Sequence, residues 1–367
     1  MRAVVNSDWY NEAVKIIANL IGPDVDCMLS VKGSKVSIEA SNAEAWIKVP
    51  LQVEEIEGEG RLFTKVEYLS ALKAKGSITL VYEEGSDHIS VDMGRSRGAI
   101  RVINASDAEI DRPENTIKIA AVMPAQSLLF ATGATAFKPL LSASAPNAII
   151  EVDNKTLTLT SYDTYIGTHY KTHNEEIKSK GAFNLIVEMD YWRRIVAHMN
   201  GDMTVKTGAN DRSFRVKTDR FDLYHAVIDA DTQDVGQVIE TLKEQESLAI
   251  IELDGKDVIE AIESVKGIIR SGGKEGARFT ITLNKDMAVL AAESTAGEME
   301  AEFDIDGYEG DEDISFTVSS DSFSDTLKLT RDESVKYAPV RLTVLREYLI
   351  MESLKVPVSS IAPVLQD

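Results

Sequence analysis

Side chains that could do chemistry are scattered thinly along this 367-residue chain, and their spacing limits what they can do. His169 and His173 stand four apart, but in T168-H-Y-K-T-H, an alternating stretch that reads as a strand end and loop. There the two imidazoles do not align as they would on one helix face. The acidic run D304-I-D-G-Y-E-G-D-E-D misses the D-x-D-x-D-G spacing of a calcium loop and reads as a solvated loop. G272-G-K-E-G reads as a helix stop, not a phosphate cradle. Neither G-x-x-x-x-G-K-[ST], H-E-x-x-H nor G-x-S-x-G occurs. The single Cys27 excludes an internal disulfide and a cysteine metal cluster, and reads as a small buried hydrophobe. No cofactor, metal or catalytic residue is implied. The chemistry to expect is that of charged and apolar surfaces.

The charges set a puzzle of their own. Thirty-nine Lys and Arg stand against 60 Asp and Glu, a net charge of -21 that by itself argues against binding phosphate backbones. The basic residues nevertheless recur on segments that read as helices. Lys73, Lys75, Lys138, Arg193, Arg194, Lys266, Arg270 and Lys328 make these segments a candidate basic face able to meet an anionic partner, while acid concentrates in E54-E-I-E-G-E-G, E83-E-G-S-D and the run from Asp304. The competing reading is a set of ordinary solvated helix faces. Trp9 and Trp192 fall in amphipathic segments, where packing is a better use for an indole than base stacking.

The elements that must carry these residues form a repeat. Six times a short apolar strand runs into a helix opened by a polar or acidic residue, at S7-D8-W-Y, T64-K-V-E-Y, P124-A-Q-S-L, E188-M-D-Y-W, D254-G-K-D-V and S319-S-D-S-F. The spacing of roughly 50 to 70 residues is that of an array. Alternating strands follow each helix, among them V36-S-I-E-A, S77-I-T-L-V-Y, T156-L-T-L-T, F214-R-V-K-T, F279-T-I-T-L and V340-R-L-T-V. Turns such as K32-G-S-K and D153-N-K join them. Helices laid on antiparallel sheets predict an α+β fold, and pairs of copies predict three domains at 1–112, 113–238 and 239–367. With no apolar run of bilayer length and no leader, a cytoplasmic protein is expected.

Three stretches, in this order, resemble bacterial sliding clamps, the beta subunit of the replicative DNA polymerase. G94-R-S-R-G-A-I-R-V resembles the G-R-S-R run that closes the family's first domain. F221-D-L-Y-H-A-V-I-D resembles its F-P-D-Y-R-R-V-L-P, and I361-A-P-V-L its C-terminal V-M-P-M-R-L. Gly98 stands where the family has phenylalanine, and His225 and Ala226 replace its two arginines, as in a distant or phage-encoded member. The resemblance implies three clamp domains of two βαβββ-like half-repeats each, with helices lining a ring and antiparallel sheets outside. It implies a non-catalytic processivity factor: a homodimeric ring around duplex DNA, bound without sequence preference, that tethers a DNA polymerase and is opened by a clamp loader ATPase, in the cytoplasm with the nucleoid or in a phage host.

Residue by residue, the resemblance puts the dimer interface at Ile100 against Ile268 and Ile269. It puts a partner-peptide pocket at Ile166, Val227, Ile361, Pro363, Val364 and Leu365. A β-rich phage structural or assembly protein built on internal duplication is the alternative from another class. A carbohydrate-active enzyme would need paired carboxylates that no motif supplies.

Overall fold

The computed structural model describes every residue except 74, 106, 109, 112, 114–116, 138–145, 229–232, 272–276, 286, 311–312, 331–336 and 366–367, and the side chain of 270. All six copies have one order: a strand, a helix and a three-stranded meander. Copy one is Arg2–Asn6, helix α1 (Ser7–Leu20), then Asp26–Lys32, Lys35–Ser41 and Ala45–Leu51. Copy two is Gly60–Lys65, α2 (Val66–Ser70), Ser77–Val81, His88–Asp92 and Arg97–Arg101. Copy three is Ala121–Pro124, α3 (Ala125–Thr135), Asn147–Asp153, Thr156–Tyr162 and Gly167–His173. Copy four is Phe183–Glu188, α4 (Met189–Val196), Thr204–Ala209, Ser213–Lys217 and Asp222–Ala226. After an added helix, α5 (Val235–Lys243), copy five is Ala249–Leu253, α6 (Gly255–Ser271), Arg278–Leu283, Met287–Ser294 and Gly297–Asp304. Copy six is Ile314–Ser319, α7 (Ser320–Leu329), Val340–Val344, Tyr348–Ser353 and Val358–Pro363.

The copies interlock in pairs, because the first strand of each closes the meander of its neighbour. Arg2–Asn6 lies antiparallel to Ser77–Val81, and Gly60–Lys65 to Asp26–Lys32. Ala121–Pro124 pairs with Thr204–Ala209, and Phe183–Glu188 lies beside Asn147–Asp153. Ala249–Leu253 pairs with Val340–Val344, and Ile314–Ser319 with Arg278–Leu283. A single copy therefore leaves a sheet incomplete, which is why the repeat comes in even number.

The chain groups into two compact units. Unit one comprises Met1–Gln126, Glu176–Leu185 and Arg194–Ile228; unit two comprises Ser127–Glu175, Ile186–Arg193 and Asp229–Asp367. Unit one contains a five-stranded and a nine-stranded sheet, the larger joined where Asp222–Ala226 pairs with Ala45–Leu51. Unit two contains a nine-stranded sheet, joined where Gly167–His173 pairs with Val358–Pro363, and a four-stranded one.

Helix positions follow from local chemistry. The Asn6 side chain caps α1 by accepting from the amides of Asp8 and Trp9, and the buried stripe Tyr10, Ala13, Val14, Ile17 and Leu20 turns to the sheet. Tyr10 keeps its hydroxyl satisfied by donating to the Leu69 carbonyl at 3.0 Å. Trp9 lies under the Arg220 guanidinium, 3.9 Å from the ring centroid, while Arg220 also binds Glu12 at 2.7 Å. Trp192 is buried and donates to Thr132 at 2.9 Å, so both indoles pack rather than stack on a ligand. In α6 the buried face Val258, Ile262, Val265 and Ile269 joins an apolar cluster of unit two.

Besides α5 and Gly297–Asp304, which the sequence reading does not include, two elements differ from expectation. The α2 helix is a single turn, so Lys73 and Lys75 lie beyond it in the connection to the next strand, where Gly76 takes φ +94. Within the acidic stretch expected to be a loop, Gly307–Glu309 forms a short strand on Ala249–Leu253.

Candidate functional site

Sheet edges are the feature most able to make or refuse contacts, because an open edge exposes a row of unpaired backbone groups. After most copies the chain turns back and covers the outer edge of that copy's first strand. Val53–Glu57 covers Arg2–Asn6, Lys178–Ser179 covers Ala121–Pro124, and Gly307–Glu309 covers Ala249–Leu253. Single bridges do the same after copies two and six, Ile103 to Phe63 and Leu365 to Thr317. The last meander strands are treated differently. Those of copies four and one pair with each other, as do those of copies three and six. Among the described residues, Arg97–Arg101 and Gly297–Asp304, the last meander strands of copies two and five, end their sheets with one free side each.

These two edges carry opposite charge. Gly297–Asp304 reads GEMEAEFD, exposes Glu298, Glu300 and Glu302, and leaves Met299 43 % exposed. Arg97–Arg101 reads RGAIR, with Arg97 held by Asp92 at 3.1 Å and Arg101 exposed. The expected interface isoleucines are already occupied: Ile100 and Ile269 are buried in the single chain, and Ile268 is half-buried against the same cluster as Ile269.

The residues expected to meet a partner peptide go to different clusters. Ile166 is buried with Phe137 and Leu329, beside an exposed Tyr165. Its turn is held by Asp163, whose Oδ1 accepts the amides of Tyr165 and Ile166 at 2.7 Å each, while Oδ2 and the Ser161 hydroxyl are buried without a hydrogen-bond partner. Ile361 sits opposite Gly167 but packs with Val235, Ile239 and Leu242 of α5. Gly167 is required there, since a Cβ would come within 2.7 Å of Val235. Pro363 pairs with Tyr348, Val364 packs toward the α6 cluster, and the Leu365 amide donates to Thr317 at 2.8 Å. Val227 belongs to unit one, half-buried, its amide on the Arg212 carbonyl at 2.9 Å.

The helical cations are accompanied. Arg193 pairs with Asp190 at 3.5 Å and Lys328 with Asp325 at 3.0 Å, and Lys266 pairs with Glu263, each acid one turn earlier on the same helix. Arg194 donates to the Asn19 carbonyl at 3.1 Å, and Lys73 and Lys75 are exposed. Lys138 and the side chain of Arg270 lie outside the described residues. Counted by sequence, α4 is the one helix of positive sum among the described residues, with Asp190 against two arginines. The helices are thus close to neutral in a strongly acidic chain.

The α5 helix, which the repeat does not contain, packs over His169. Gly236 lies so close to His169 that a Cβ would touch Cε1 at 2.9 Å, and His169 Nδ1 is 3.2 Å from the Thr160 hydroxyl. Burial holds His169 below the ordinary histidine value, Asp234 and Glu240 opposing that shift and Lys171 adding to it. Burial, then Asp26, pushes the Cys27 thiol up, which keeps it unreactive. Among the described residues no group of three or more His, Cys, Asp or Glu is placed to hold a metal ion, and no helix is long and apolar enough to cross a membrane.

A chain of six βαβββ copies, interlocked in pairs, has the fold of the sliding clamps. More particularly, its structural likeness is to the bacterial DNA polymerase III beta subunit. The beta subunit from Pseudomonas aeruginosa superposes with a TM-score of 0.84 at 14% identity, covering 100% of both chains. That from Thermotoga maritima gives 0.82 at 16%, covering 100% of this chain and 99% of the other. The Helicobacter pylori beta clamp, bound to a DNA ligase peptide, gives 0.79 at 14% with both chains covered in full. No protein-family model matches the sequence. No curated protein sequence matches it either.

Proposed function

We propose that this chain acts as a sliding clamp: two copies close head to tail into a ring around duplex DNA, and the ring tethers a replicative polymerase without catalysing a reaction. The observation that carries the proposal is the pair of open meander edges. At the two internal junctions, strands in the equivalent position pair with each other. The two left open, one basic and one acidic, are what a second copy would join by the same pairing. The contact would then be made by main-chain hydrogen bonds and a charged rim around half-buried Ile268, with Ile100 and Ile269 as its support rather than its surface.

The three-domain division at 112 and 238 is retained in this proposal. Near-neutral helices suit a pore that must release phosphates as readily as it meets them. Lys73, Lys75, Arg193, Arg194, Lys266, Arg270, Lys328 and Lys138 would supply exchangeable contacts without base readout. Partner peptides from polymerase and clamp loader would dock within unit two at the apolar cluster of Ile166, Phe137 and Leu329, with Val364 and Leu365 as further contacts and Ile361 and Pro363 as its frame; the ligase peptide on the Helicobacter pylori clamp is a precedent for such a ligand. The setting would be the cytoplasm of a bacterium or of a phage host.

Negative-stain images of the purified protein test the ring, together with light scattering. A ring with a duplex-sized hole and a dimeric mass is expected; a monomer at micromolar concentration would overturn the proposal. Truncation after Pro363 removes Val364 and Leu365 while sparing buried Ile361, and should weaken capture of polymerase peptides without loss of the dimer.

A further inference from the structure

A groove of about 710 Å³ runs over the nine-stranded sheet of unit one, across the meander of copy one and the strands beside it. Its charge is unevenly placed. At one end Lys32 and Lys35 face each other directly across their hairpin, a like-charge pair that costs stability unless something anionic lies between or above it. Arg61 lies on the next strand, opposite Ser30. All three are exposed, and none pairs with a carboxylate among the described residues. Three unpaired cations together are unexpected in a chain of net charge -21.

The other end is different. There Glu39, buried, holds Lys48 at 3.0 Å, and Asp222 takes Arg215 through two bonds of 2.7 and 2.6 Å. Trp46 meets Tyr224 edge-on at 5.6 Å, and its indole Nε1–H is buried without an acceptor.

We propose that this groove docks a short extended peptide of a partner protein, acidic where it meets Lys32, Lys35 and Arg61 and uncharged where it lies over Trp46. The asymmetry selects this occupant. A nucleic-acid strand carries phosphate along its whole length but would meet spare cations only at the end of Lys32, Lys35 and Arg61, because Lys48 and Arg215 are already taken by Glu39 and Asp222, whereas a peptide can be anionic at one end only. The groove lies wholly within unit one and depends on nothing in the ring proposal.

The test uses the full-length chain and a fluorescein-labelled peptide of four glutamates followed by Gly-Ser-Tyr-Val, titrated by anisotropy, with oligothymidylate of similar length as the second probe. The peptide should bind and weaken as salt rises past about 0.15 M. The triple variant Lys32→Glu, Lys35→Glu, Arg61→Glu should lose at least about tenfold in affinity, and the milder glutamine triple an intermediate factor, neither with a fall in melting temperature. Trp46→Phe should weaken binding without altering its salt dependence. Peptide binding indifferent to both triples, or no binding at millimolar peptide, would overturn the proposal. So would oligothymidylate binding more tightly than the peptide and displacing it, which would make the groove a nucleic-acid site.

Discussion

Strands in one position of the repeat end up in two conditions, and the contrast shows how a repeat protein decides where it stops. The junction strands Ala45–Leu51 and Asp222–Ala226 meet through Trp46, Tyr224, Ile47 and Leu223, and Gly167–His173 meets Val358–Pro363 with Ile361 buried under α5. Their charges are mixed, as Lys48 opposite Asp222 illustrates. The open strands keep the same alternation but give it a single sign each, arginine on one and glutamate on the other. Neither can pair with a copy of itself without like charges facing, so the sequence discourages stacking of identical edges while leaving the mixed pairing open.

The largest effect should come from blocking an open edge. Successive residues of a strand turn their amides to opposite sides, so of Met299→Pro and Glu300→Pro one removes an outward donor and the other breaks the ladder to Met287–Ser294. The first should stay folded and be monomeric by light scattering, a loss of dimer affinity on the order of hundredfold or more; if both variants fold and dimerise, the open strand is not the interface.

At a closed junction the damage should instead appear as instability. Ile361→Ala removes buried volume between the sheet and α5 and should cost about 2–4 kcal/mol in urea unfolding, with the oligomeric state of the folded fraction unchanged.

Charge sharpens the comparison at smaller magnitude. Arg97→Glu with Arg101→Glu should weaken the dimer by about tenfold, and arginine at Glu298, Glu300 and Glu302 in the same chain should restore it; a restored dimer with reversed edges is a result that hydrophobic interface models do not give.

The smallest effect concerns pH at α5. His169 has a lower affinity for protons folded than unfolded, so the unfolded state gains protons first as pH falls. Its contribution is complete above about 6.5 and is lost as pH drops through the lowered folded value. Glu151, raised by burial and then by Asp234, acts in the opposite sense just above its ordinary range. Protection of the α5 amides, taken relative to the intrinsic exchange rate at each pH, should therefore fall as pH drops below about 6.5, and His169→Gln should flatten that dependence.

Much of this was legible in the sequence because half of the copies place a residue of capping type at the helix start. Asn6, Asp254 and Ser319 stand at the caps of α1, α6 and α7, and the strands at Val36, Ser77, Thr156 and Val340 alternate cleanly. Trp9 and Trp192 pack in their helices as their amphipathic surroundings suggest. The α5 helix was missed because Asp-Thr-Gln-Asp-Val-Gly looks like a linker, although Val235, Val238, Ile239 and Leu242 make a helical stripe and Asp234 accepts the Gln237 amide at 2.9 Å. Gly297–Asp304 went unread because glutamates disguised the alternation of Met299, Ala301 and Phe303. The ion pairs that quieten Arg193, Lys266 and Lys328 were visible as i,i+3 spacings, but which way those side chains turn depends on packing that spacing alone does not give.

The exchange of strands between copies also sets a timetable for the ribosome. Lys48 emerges long before Asp222, the residue that will sit opposite it, so the Ala45–Leu51 edge stays bare for roughly 10–35 s of synthesis at about 5–20 residues per second. Gly167–His173 waits a comparable time for Val358–Pro363. A nascent chain of this design is thus a half-built sheet for most of its time on the ribosome, and chaperone dependence during translation, absent on refolding of the finished chain at low concentration, is the cellular signature to look for.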